Sequence, residues 1–354
     1  MKVGIVTLTH NPNFGNTLQN IALTKALEKY DGVEVETIFN KDDSNLIPYV
    51  SQLDCFKMML KHQSTGVEQF KRIRFEKVRK QYIKYSAYFW QKGRIDNIVN
   101  DEYDLFIAGS DQVWNPSFGF AGDFEFLRFA DPEKRGSYAA SVGLSSIVVQ
   151  HVESFRDGIK GMKYLSFRET QAATLCKDKF DVSGEVHIDP TMLCSAEEWK
   201  LMMQKPFGFF MKKYILIYLL GENQYESYIK KVAKRFNASI INLADRKYAC
   251  VDPLEFVWLI ANARFMVTDS FHGTVFSILM KIPFTVCRRV DKNLEQNSRF
   301  DTLLSLFDFE KRMCNYDVDD TKMLFNHCES VLEEQRTVSD KYILMMLEGA
   351  KKHE

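Results

Sequence analysis

Two apolar runs constrain the fold of this chain more than any other feature of its sequence. Lys2–Leu8 (KVGIVTL) and Tyr214–Leu220 (YILIYLL) are each long enough for one β-strand and offer little polar surface. Strands of this kind are covered on both faces, as in parallel sheets flanked by helices. Each run is followed by a loop, a helical pattern and a further strand, which is the order found in doubly wound domains. The sequence therefore predicts an α/β fold.

The alternation of strands and helices has one interruption and one restart. Between residues 50 and 95, apolar side chains recur at spacings of three and four, which predicts a long amphipathic helix through Phe75, Val78, Tyr82, Tyr85 and Phe89. Lys205–Gly208 has the composition of a linker. We therefore expect one Rossmann-like domain over residues 1–204, with a helical insertion at about 50–95, and a second over residues 205–354.

Composition excludes several functional classes. Lys and Arg total 47, as do Asp and Glu, so no net charge attracts a nucleic acid. The seven cysteines form no C-x-x-C pair, which argues against a zinc ribbon and a disulfide framework. We expect reduced thiols, and neither a metal nor a cofactor. No apolar stretch approaches ~18 residues and the N-terminus lacks a signal-peptide core, so we expect a cytoplasmic protein.

The segment 265–279 (FMVTDSFHGTVFSIL) is the most informative part of the sequence. Four residues lie at the junction between an apolar strand and an apolar helix, namely Asp269, Ser270, His272 and Gly273. Open α/β sheets place ligands at the carboxyl ends of their strands, and a helix N-terminus attracts phosphate or carboxylate. An imidazole there can donate or accept a proton. The alternative is a plain helix cap beside a surface histidine.

Two loops of the first domain are further candidates. Asn13–Asn20 joins the first strand to the first helix, where Asn16 can offer an amide to a ligand. Gly109–Pro116 places Asp111 close to Trp114, and such a pair suits a sugar because the carboxylate binds hydroxyls while the ring stacks. Both loops are equally consistent with ordinary capped or turn-forming segments.

Two arginines offer planar donor groups suited to phosphate or carboxylate. Arg168 ends a predicted strand, and the alternative for it is an ion pair with Glu169 or Asp189. Arg299 precedes a predicted amphipathic helix, and the alternative for it is an ordinary surface position. Separately, eight basic and only two acidic residues fall between Lys57 and Lys80. That pattern indicates either a solvated helix face or peripheral contact with an anionic membrane surface.

Seven segments together resemble the polysaccharide pyruvyl transferase family. Two of them, GSDQVWNP within residues 103–116 and DSFHG within 268–279, are specific strings. The other segments count by their order along the chain: NFGNTLQNIAL (13–23), SYAASVG (137–143), SFRE (166–169), HIDPTML (187–193) and NSRFDTLL (297–304). The resemblance runs over nearly the whole chain.

The resemblance implies two Rossmann-like domains facing each other across a cleft, as in glycosyltransferases of the B-type fold. It also implies a transferase of polysaccharide biosynthesis, including exopolysaccharide, that takes phosphoenolpyruvate as donor. The acceptor would be a sugar of a glycan or of a lipid-linked precursor, and the product would carry pyruvate as a ketal.

The resemblance assigns roles residue by residue. His272 is implied as general acid/base, with Asp269 beside it in the catalytic group. Donor binding is implied for Arg168, Arg299, Ser270, Gly273 and Thr274. Acceptor binding is implied for Asn16, Gln19, Asp111, Trp114 and Asn115.

One departure from the family pattern affects the donor site. Better-known members resemble Asp-Arg-Leu-His here, whereas this chain has Ser270-Phe271 before His272. The missing guanidinium must come from elsewhere, and Arg168, Arg264 and Arg299 are the candidates. Two other functions stay open at this stage, a nucleotide-sugar glycosyltransferase of the same fold and a glycan-binding protein without catalysis.

Overall fold

A computed structural model describes residues 1–9, 11–42, 64–118, 121–144, 151–222, 224–289, 298–317 and 323–351. By its contacts the chain divides into two compact units. Unit 1 comprises Met1–Pro48, Arg79–Cys194 and Leu332–Glu354, and unit 2 comprises Tyr49–Val78 and Ser195–Val331. Each unit holds its own parallel sheet, so the predicted α/β fold is confirmed.

Unit 1 is built on a five-stranded parallel sheet of order β3-β2-β1-β4-β5. This is the strand order of a Rossmann fold, with β1 at its centre. A short parallel pair, β6-β7, continues beyond β5 through isolated bridges. The strands are β1 Lys2–Val6, β2 Glu34–Asn40, β3 Tyr85–Trp90, β4 Leu105–Ala108, β5 Arg135–Ser137, β6 Ser166–Phe167 and β7 Glu185–Val186.

Unit 2 is built on a four-stranded parallel sheet of order β11-β10-β8-β9. Its strands are β8 Tyr214–Tyr218, β9 Ser239–Asn242, β10 Phe265–Thr268 and β11 Phe284–Val286. Ile215 and Ile217 of β8 pack with Val267 of β10 in a fully buried core. The chain order of the strands reverses between β8 and β10, and ligands of doubly wound sheets bind outside such a reversal.

The helices connect these strands. They are α1 Phe14–Leu27, α2 Ser64–Tyr82, α3 Val99–Glu102, α4 Val152–Lys160, α5 Thr170–Phe180, α6 Ala196–Met202, α7 Glu226–Arg235, α8 Pro253–Ala261, α9 Phe271–Leu279, α10 Ser298–Leu306 and α11 Cys328–Lys351. Helix α8 begins as its sequence predicts, with Asp252 as cap and Pro253 in the first turn. No helix of the described residues is long and apolar enough to cross a membrane.

The predicted helical insertion is shorter than residues 50–95. Helix α2 ends at Tyr82, and Tyr85 and Phe89 lie instead in β3, the edge strand of the unit 1 sheet. The segment YSAYFW is rich in aromatic residues, which favour strands, so its apolar spacing fits a period of two as well as a helical one. The part of the insertion before Ser64 lies outside the described residues.

The C-terminal helix belongs mostly to unit 1. The predicted domain boundary at 204/205 would instead put this helix in the second domain. The Tyr342 hydroxyl donates to the Ser137 carbonyl over 3.1 Å, and Arg336 Nε donates to the Met192 carbonyl over 2.8 Å. A Cβ on Gly136 would come within 3.2 Å of the Met346 sulfur. Helix α11 therefore completes the core beside β5.

Candidate functional site

Asp269 anchors the loop that follows β8. Its Oδ1 accepts from the Leu220 amide over 2.7 Å, and its Oδ2 accepts from the Gly221 amide over 2.8 Å. The residue is 2% exposed and comes directly after β10. Both oxygens accept hydrogen bonds from backbone N–H groups. Asp269 therefore joins the carboxyl ends of β8 and β10, the neighbouring strands between which the strand order reverses.

Ser270 caps helix α9, as one reading of the sequence predicted. Its Oγ accepts from the Gly273 amide over 3.3 Å, and its carbonyl accepts from the Thr274 hydroxyl over 3.2 Å. A Cβ on Gly273 would come within 2.6 Å of the Thr268 hydroxyl oxygen. The glycine is therefore required for close packing of α9 on β10, and its amide is used inside the helix cap.

His272 lies in the first turn of α9, beside the ring of Phe271. The two rings are in edge contact, with centroids 5.4 Å apart. The guanidinium of Arg299, from α10, lies over the Phe271 ring with Cζ 6.0 Å from its centroid. Arg299 is 5% exposed and His272 is 6% exposed. The structure therefore brings a guanidinium and an imidazole to the N-terminus of the same helix.

The three arginines considered for the missing guanidinium differ in position. Arg264 precedes β10 and donates its amide to the Tyr214 carbonyl, so it lies at the amino edge of the unit 2 sheet, opposite Asp269. Arg168 belongs to unit 1. Arg299 alone of the three contacts the residue next to His272.

Arg168 lies in a buried cluster of carboxylates. Its Nη1 donates to Asp189 Oδ2 over 2.9 Å, its Nη2 is 3.7 Å from Asp111 Oδ1, and its Nε is 3.9 Å from Glu169 Oε2. Burial alone would lower the pKa of the guanidinium, but the charges of Asp189, Asp111 and Glu169 raise it. The ion-pair alternative for Arg168 is therefore confirmed. All three of these contacts go to carboxylates of unit 1.

The carboxylates of this cluster also hold the surrounding loops. Glu169 Oε1 accepts from the Ser141 hydroxyl and from the Val142 and Gly143 amides over 2.8–2.9 Å. Asp189 Oδ1 accepts from both the amide and the hydroxyl of Thr191. Sequence reasoning gave these two acids no role beyond pairing with Arg168. Their positions within the SFRE and HIDP strings are the signal that could have identified them.

Of the residues implied in acceptor binding, Trp114 and Asn115 are fully buried. The Trp114 indole stacks on Phe126 and donates Nε1–H to the Glu125 carbonyl. The Asn115 amide donates to Gln112 Oε1 over 2.6 Å. The structure does not support the prediction that Trp114 stacks on a sugar, because the ring lies in an aromatic core.

Asp111, Asn16 and Gln19 lie at the carboxyl edge of the unit 1 sheet. Gln19 donates to the Thr7 hydroxyl over 2.8 Å, and that hydroxyl donates to the Ser110 carbonyl, which ties α1 to the loop after β4. Asp111 Oδ2 makes no hydrogen bond to the described part of the chain, and the same holds for the Asn16 side-chain amide. These two groups can therefore accept or donate bonds to a ligand.

The loops around Arg168 contain backbone conformations that non-glycine residues rarely adopt. Asp111 has φ 70° and Ala139 has φ 48°, while Gly143 has φ 68° beside the Gln112 side chain. For a residue other than glycine such a conformation costs about 1–3 kcal/mol, and strained conformations of this kind are concentrated at functional sites. Among the residues that the structure describes, no group of three or more His, Cys, Asp or Glu side chains could hold a metal ion.

Comparison with solved structures finds the same fold in other proteins. The UDP-GlcNAc 2-epimerase of Neisseria meningitidis bound to UDP-GlcNAc is 11% identical, with 99% of this chain and 100% of that chain covered and a TM-score of 0.49. A Listeria monocytogenes protein designated a UDP-N-acetylglucosamine 2-epimerase is 12% identical over 90% of each chain, with a TM-score of 0.51. The Listeria match, whose TM-score exceeds 0.5, shows the fold alone, a GT-B-like α/β fold with parallel sheets.

Comparison with sequences identifies the family. No curated protein matches the sequence at a significant level. The model of the polysaccharide pyruvyl transferase family, however, matches residues 13–289, which is more than half of the chain. The match includes every candidate residue described above except Arg299, which lies just beyond it. The chain therefore belongs to the polysaccharide pyruvyl transferase family.

Proposed function

We propose that this protein transfers pyruvate from phosphoenolpyruvate to a sugar of a polysaccharide or of its precursor, and that the product is a pyruvate ketal. The observation that carries this proposal is the position of Arg299 over Phe271, next to His272. Phe271 follows position 270, where the family pattern has its arginine, so this contact supports Arg299 as the replacement guanidinium. We place the reaction in the cytoplasm, where phosphoenolpyruvate is formed.

The donor-binding edge of unit 2 suits a trianionic ligand. The N-terminus of α9 carries a partial positive charge, equivalent to about half an elementary charge. Arg299 adds a full charge and a planar fork that matches phosphate or carboxylate. Ser270 and Thr274 shape this helix end through its cap, so we assign them to positioning the donor site.

His272 is placed for proton transfer to or from the donor. Protonation of the methylene carbon of phosphoenolpyruvate makes C2 electrophilic, and a sugar hydroxyl then forms the first C–O bond. The bond between C2 and the phosphate oxygen breaks, and a second hydroxyl closes the ketal. Of the two hydroxyl protons, one is balanced by the new methyl C–H bond and the other leaves with phosphate. We assign His272 as the general acid/base of this sequence.

Asp269 and the unit 1 residues take different roles from those that the family resemblance implies. Because both Asp269 oxygens bind backbone amides, we assign it as a positioning residue for the loop after β8. Arg168 holds the carboxylate cluster together and is not assigned to the donor. We assign acceptor hydroxyls to Asp111 and Asn16, which have polar atoms available for a ligand.

The proposal is tested by incubating the purified protein with phosphoenolpyruvate and a panel of glycan and lipid-linked acceptors. We expect phosphate release that depends on the acceptor. Arg299→Gln should raise the KM for phosphoenolpyruvate about tenfold to a hundredfold, because a charged hydrogen bond contributes about 1.5–3 kcal/mol. Arg264→Gln is the matched control, since Arg264 lies at the opposite edge of the same sheet, and it should leave the KM unchanged.

The same preparation separates pyruvyl transfer from nucleotide-sugar chemistry. Phosphoenolpyruvate should raise the melting temperature of the wild-type protein and raise that of Arg299→Gln less. Stabilisation by UDP or GDP sugars without any response to phosphoenolpyruvate would contradict the proposal and favour a glycosyltransferase.

A further inference from the structure

The loop between α6 and β8 exposes two phenylalanines. Phe207 is fully exposed, at 104% of its reference area, and Phe210 is 86% exposed. These are among the most exposed large apolar side chains of the described residues. A single exposed apolar residue needs no explanation, but two aromatic rings presented by one short loop mark an interaction surface.

The loop holds these rings outward through a third phenylalanine. Phe209 is 7% exposed and makes edge contacts with the rings of Tyr214 and Trp258, at centroid distances of 5.3 and 5.4 Å. Its amide donates to the Pro206 carbonyl over 3.2 Å, and Gly208 at φ 70° allows this tight turn. The turn is therefore anchored at its base, and its outward rings do not result from a loose chain.

The surroundings of the two rings are positively charged. Four lysines fall between Glu198 and Glu222, and that stretch contains no acidic residue. Three of them flank the rings and are exposed, namely Lys205, Lys212 and Lys213. Lys205 Nζ lies 5.8 Å from the Trp258 ring centroid. An apolar tip surrounded by cations matches an anionic lipid surface, where rings enter the interface and ammonium groups meet headgroups.

We propose that this loop, residues 205–213, docks the protein on an anionic membrane surface. Lys212 and Lys213 line an open hollow of about 480 Å³ with Asn237 and Ser239, a recess next to the turn that suits a lipid headgroup. The site differs from the basic helix at 57–80, because it combines charge with exposed aromatic rings. A second copy of this chain would also cover the rings, but the clustered lysines would repel an identical surface.

The docking loop lies at the amino edge of the unit 2 sheet. It leads directly into β8, whereas Asp269 and His272 lie beyond the carboxyl end of β10. Five residues of strand separate these edges by roughly 15 Å. A membrane-bound protein therefore keeps the donor site of unit 2 clear of the lipid surface.

The full-length protein is tested by co-sedimentation with vesicles of phosphatidylglycerol and phosphatidylcholine in equal parts, and with vesicles of phosphatidylcholine alone. We expect binding to the anionic vesicles that weakens at about 1 M salt, where the screening length falls to about 3 Å. Phe207→Ser/Phe210→Ser should reduce the partition coefficient about tenfold or more, and Lys212→Gln/Lys213→Gln should remove the preference for anionic lipid. Leu324→Ser, a change at another exposed apolar residue of unit 2, is the matched control.

Three results would overturn the proposal. The first is equal binding of the wild-type protein to both kinds of vesicle, or to neither. The second is undiminished binding by the double phenylalanine variant. The third is a wild-type dimer that the same variant converts to a monomer without any lipid binding, which would assign the rings to a contact between copies. Because all changed side chains are exposed, the variants should melt as the wild-type protein does, and phosphate release with a soluble acceptor should not change.

Discussion

At the scale of single residues, the proposed donor site contains some polar groups that hold the local backbone and others at the N-terminus of helix α9. Asp269, Ser270 and Gly273 are committed to a loop anchor and a helix cap. His272 and Arg299 contribute an imidazole and a guanidinium, both in contact with the Phe271 ring. The junction therefore separates residues that hold the backbone from residues that can meet a substrate.

Asp269→Asn tests the positioning role. An amide in place of the carboxylate can accept from only one of the two backbone N–H groups, so we expect the loop after β8 to shift. A displacement of about 1 Å costs up to about a hundredfold in rate, so kcat should fall by about tenfold to a hundredfold while the pH profile keeps its shape. Steady-state kinetics across pH measure both quantities. A loss of one limb of the profile would instead make Asp269 a proton-transfer group.

Sequence reasoning predicted the positions of site residues better than their roles. The strand–helix junction and the cap at Ser270 follow from local patterns, and the ion pair of Arg168 with Asp189 is one of the alternatives that the sequence offers for that arginine. The burial of Trp114 does not, because an aromatic residue in a polar turn can face either solvent or core. The contact of Arg299 with Phe271 joins two distant segments, and no local pattern contains it.

At the scale of elements, the packing of α9 on β10 determines the geometry of the donor edge. Gly273 permits the approach, and the Thr268 hydroxyl fills the space below it. That hydroxyl donates to the Tyr218 carbonyl over 2.7 Å and accepts from the Ser270 amide over 3.0 Å. The strand, the helix and its cap therefore form one rigid hydrogen-bonded group, on which the His272 side chain is carried.

Gly273→Ala should destabilise the protein, although alanine favours helices by about 1 kcal/mol. The new methyl group would meet a Thr268 hydroxyl that two hydrogen bonds hold in place, and overpacking of this kind costs about 1–3 kcal/mol. Urea unfolding measures the difference. In a Thr268→Ala background, Gly273→Ala should lower the free energy of unfolding by less. An equal decrease in both backgrounds would show that the contact with the Thr268 hydroxyl is not the cause.

Within unit 2, Arg74 of helix α2 contacts the N-terminus of helix α8. Arg74 Nη2 lies 2.6 Å from Asp252 Oδ2 and 2.8 Å from Glu255 Oε1, the two carboxylates that cap α8. Burial raises the pKa of Glu255, and Arg74 partly opposes that rise. The Arg74 guanidinium therefore favours the charged form of the buried Glu255 carboxyl.

Arg74→Met should cost about 1–3 kcal/mol of unfolding free energy at neutral pH, less than a fully buried pair because Arg74 is partly exposed. Without the cation the pKa of Glu255 should rise further above its unfolded value. A folded state that holds its proton more tightly loses stability as pH increases, so the cost of Arg74→Met should shrink as the pH falls towards the unfolded pKa of Glu255. Chemical unfolding at several pH values checks this, and a cost independent of pH would contradict it.

At the scale of elements, the spacing of apolar residues alone does not distinguish a helix from a strand in this sequence. The spacing of YSAYFW predicts a helix, whereas the segment forms β3 at the edge of a sheet, because that spacing satisfies both periods and the partner strand is distant in the sequence. Strand β11 has only three residues, Phe284–Val286, too few for a periodic signal. The longer apolar strands β1, β8 and β10 were predicted within a few residues.

At the scale of the whole molecule, the chain order does not follow the division into units. Unit 1 takes its last helix from the C-terminus, and unit 2 takes a segment from the first quarter of the chain. The sequence shows where strands restart, near Tyr214, but not that α11 returns to unit 1. That return is fixed by contacts such as Tyr342 with Ser137 and Arg336 with Met192, between residues far apart in the sequence.

Residues 1–204 should therefore not fold when produced alone. They lack α11, so Gly136, Ser137 and the aromatic face of Tyr138 lose their cover. We expect no cooperative thermal transition by circular dichroism, and recovery of one when residues 328–354 are attached through a flexible Gly/Ser linker. A sharp transition in the fragment without α11 would show that the helix is dispensable.

The central claim, ketal-forming pyruvyl transfer, is tested most directly by turnover in D₂O followed by mass spectrometry of the product. The account predicts release of phosphate and an acceptor that carries pyruvate with deuterium in its methyl group, since the proton that His272 delivers ends on carbon. His272→Ala should abolish this product while the variant still folds, as shown by a single cooperative thermal transition. A product that keeps the methylene group of phosphoenolpyruvate, or a full yield of ketal from His272→Ala, would contradict the account.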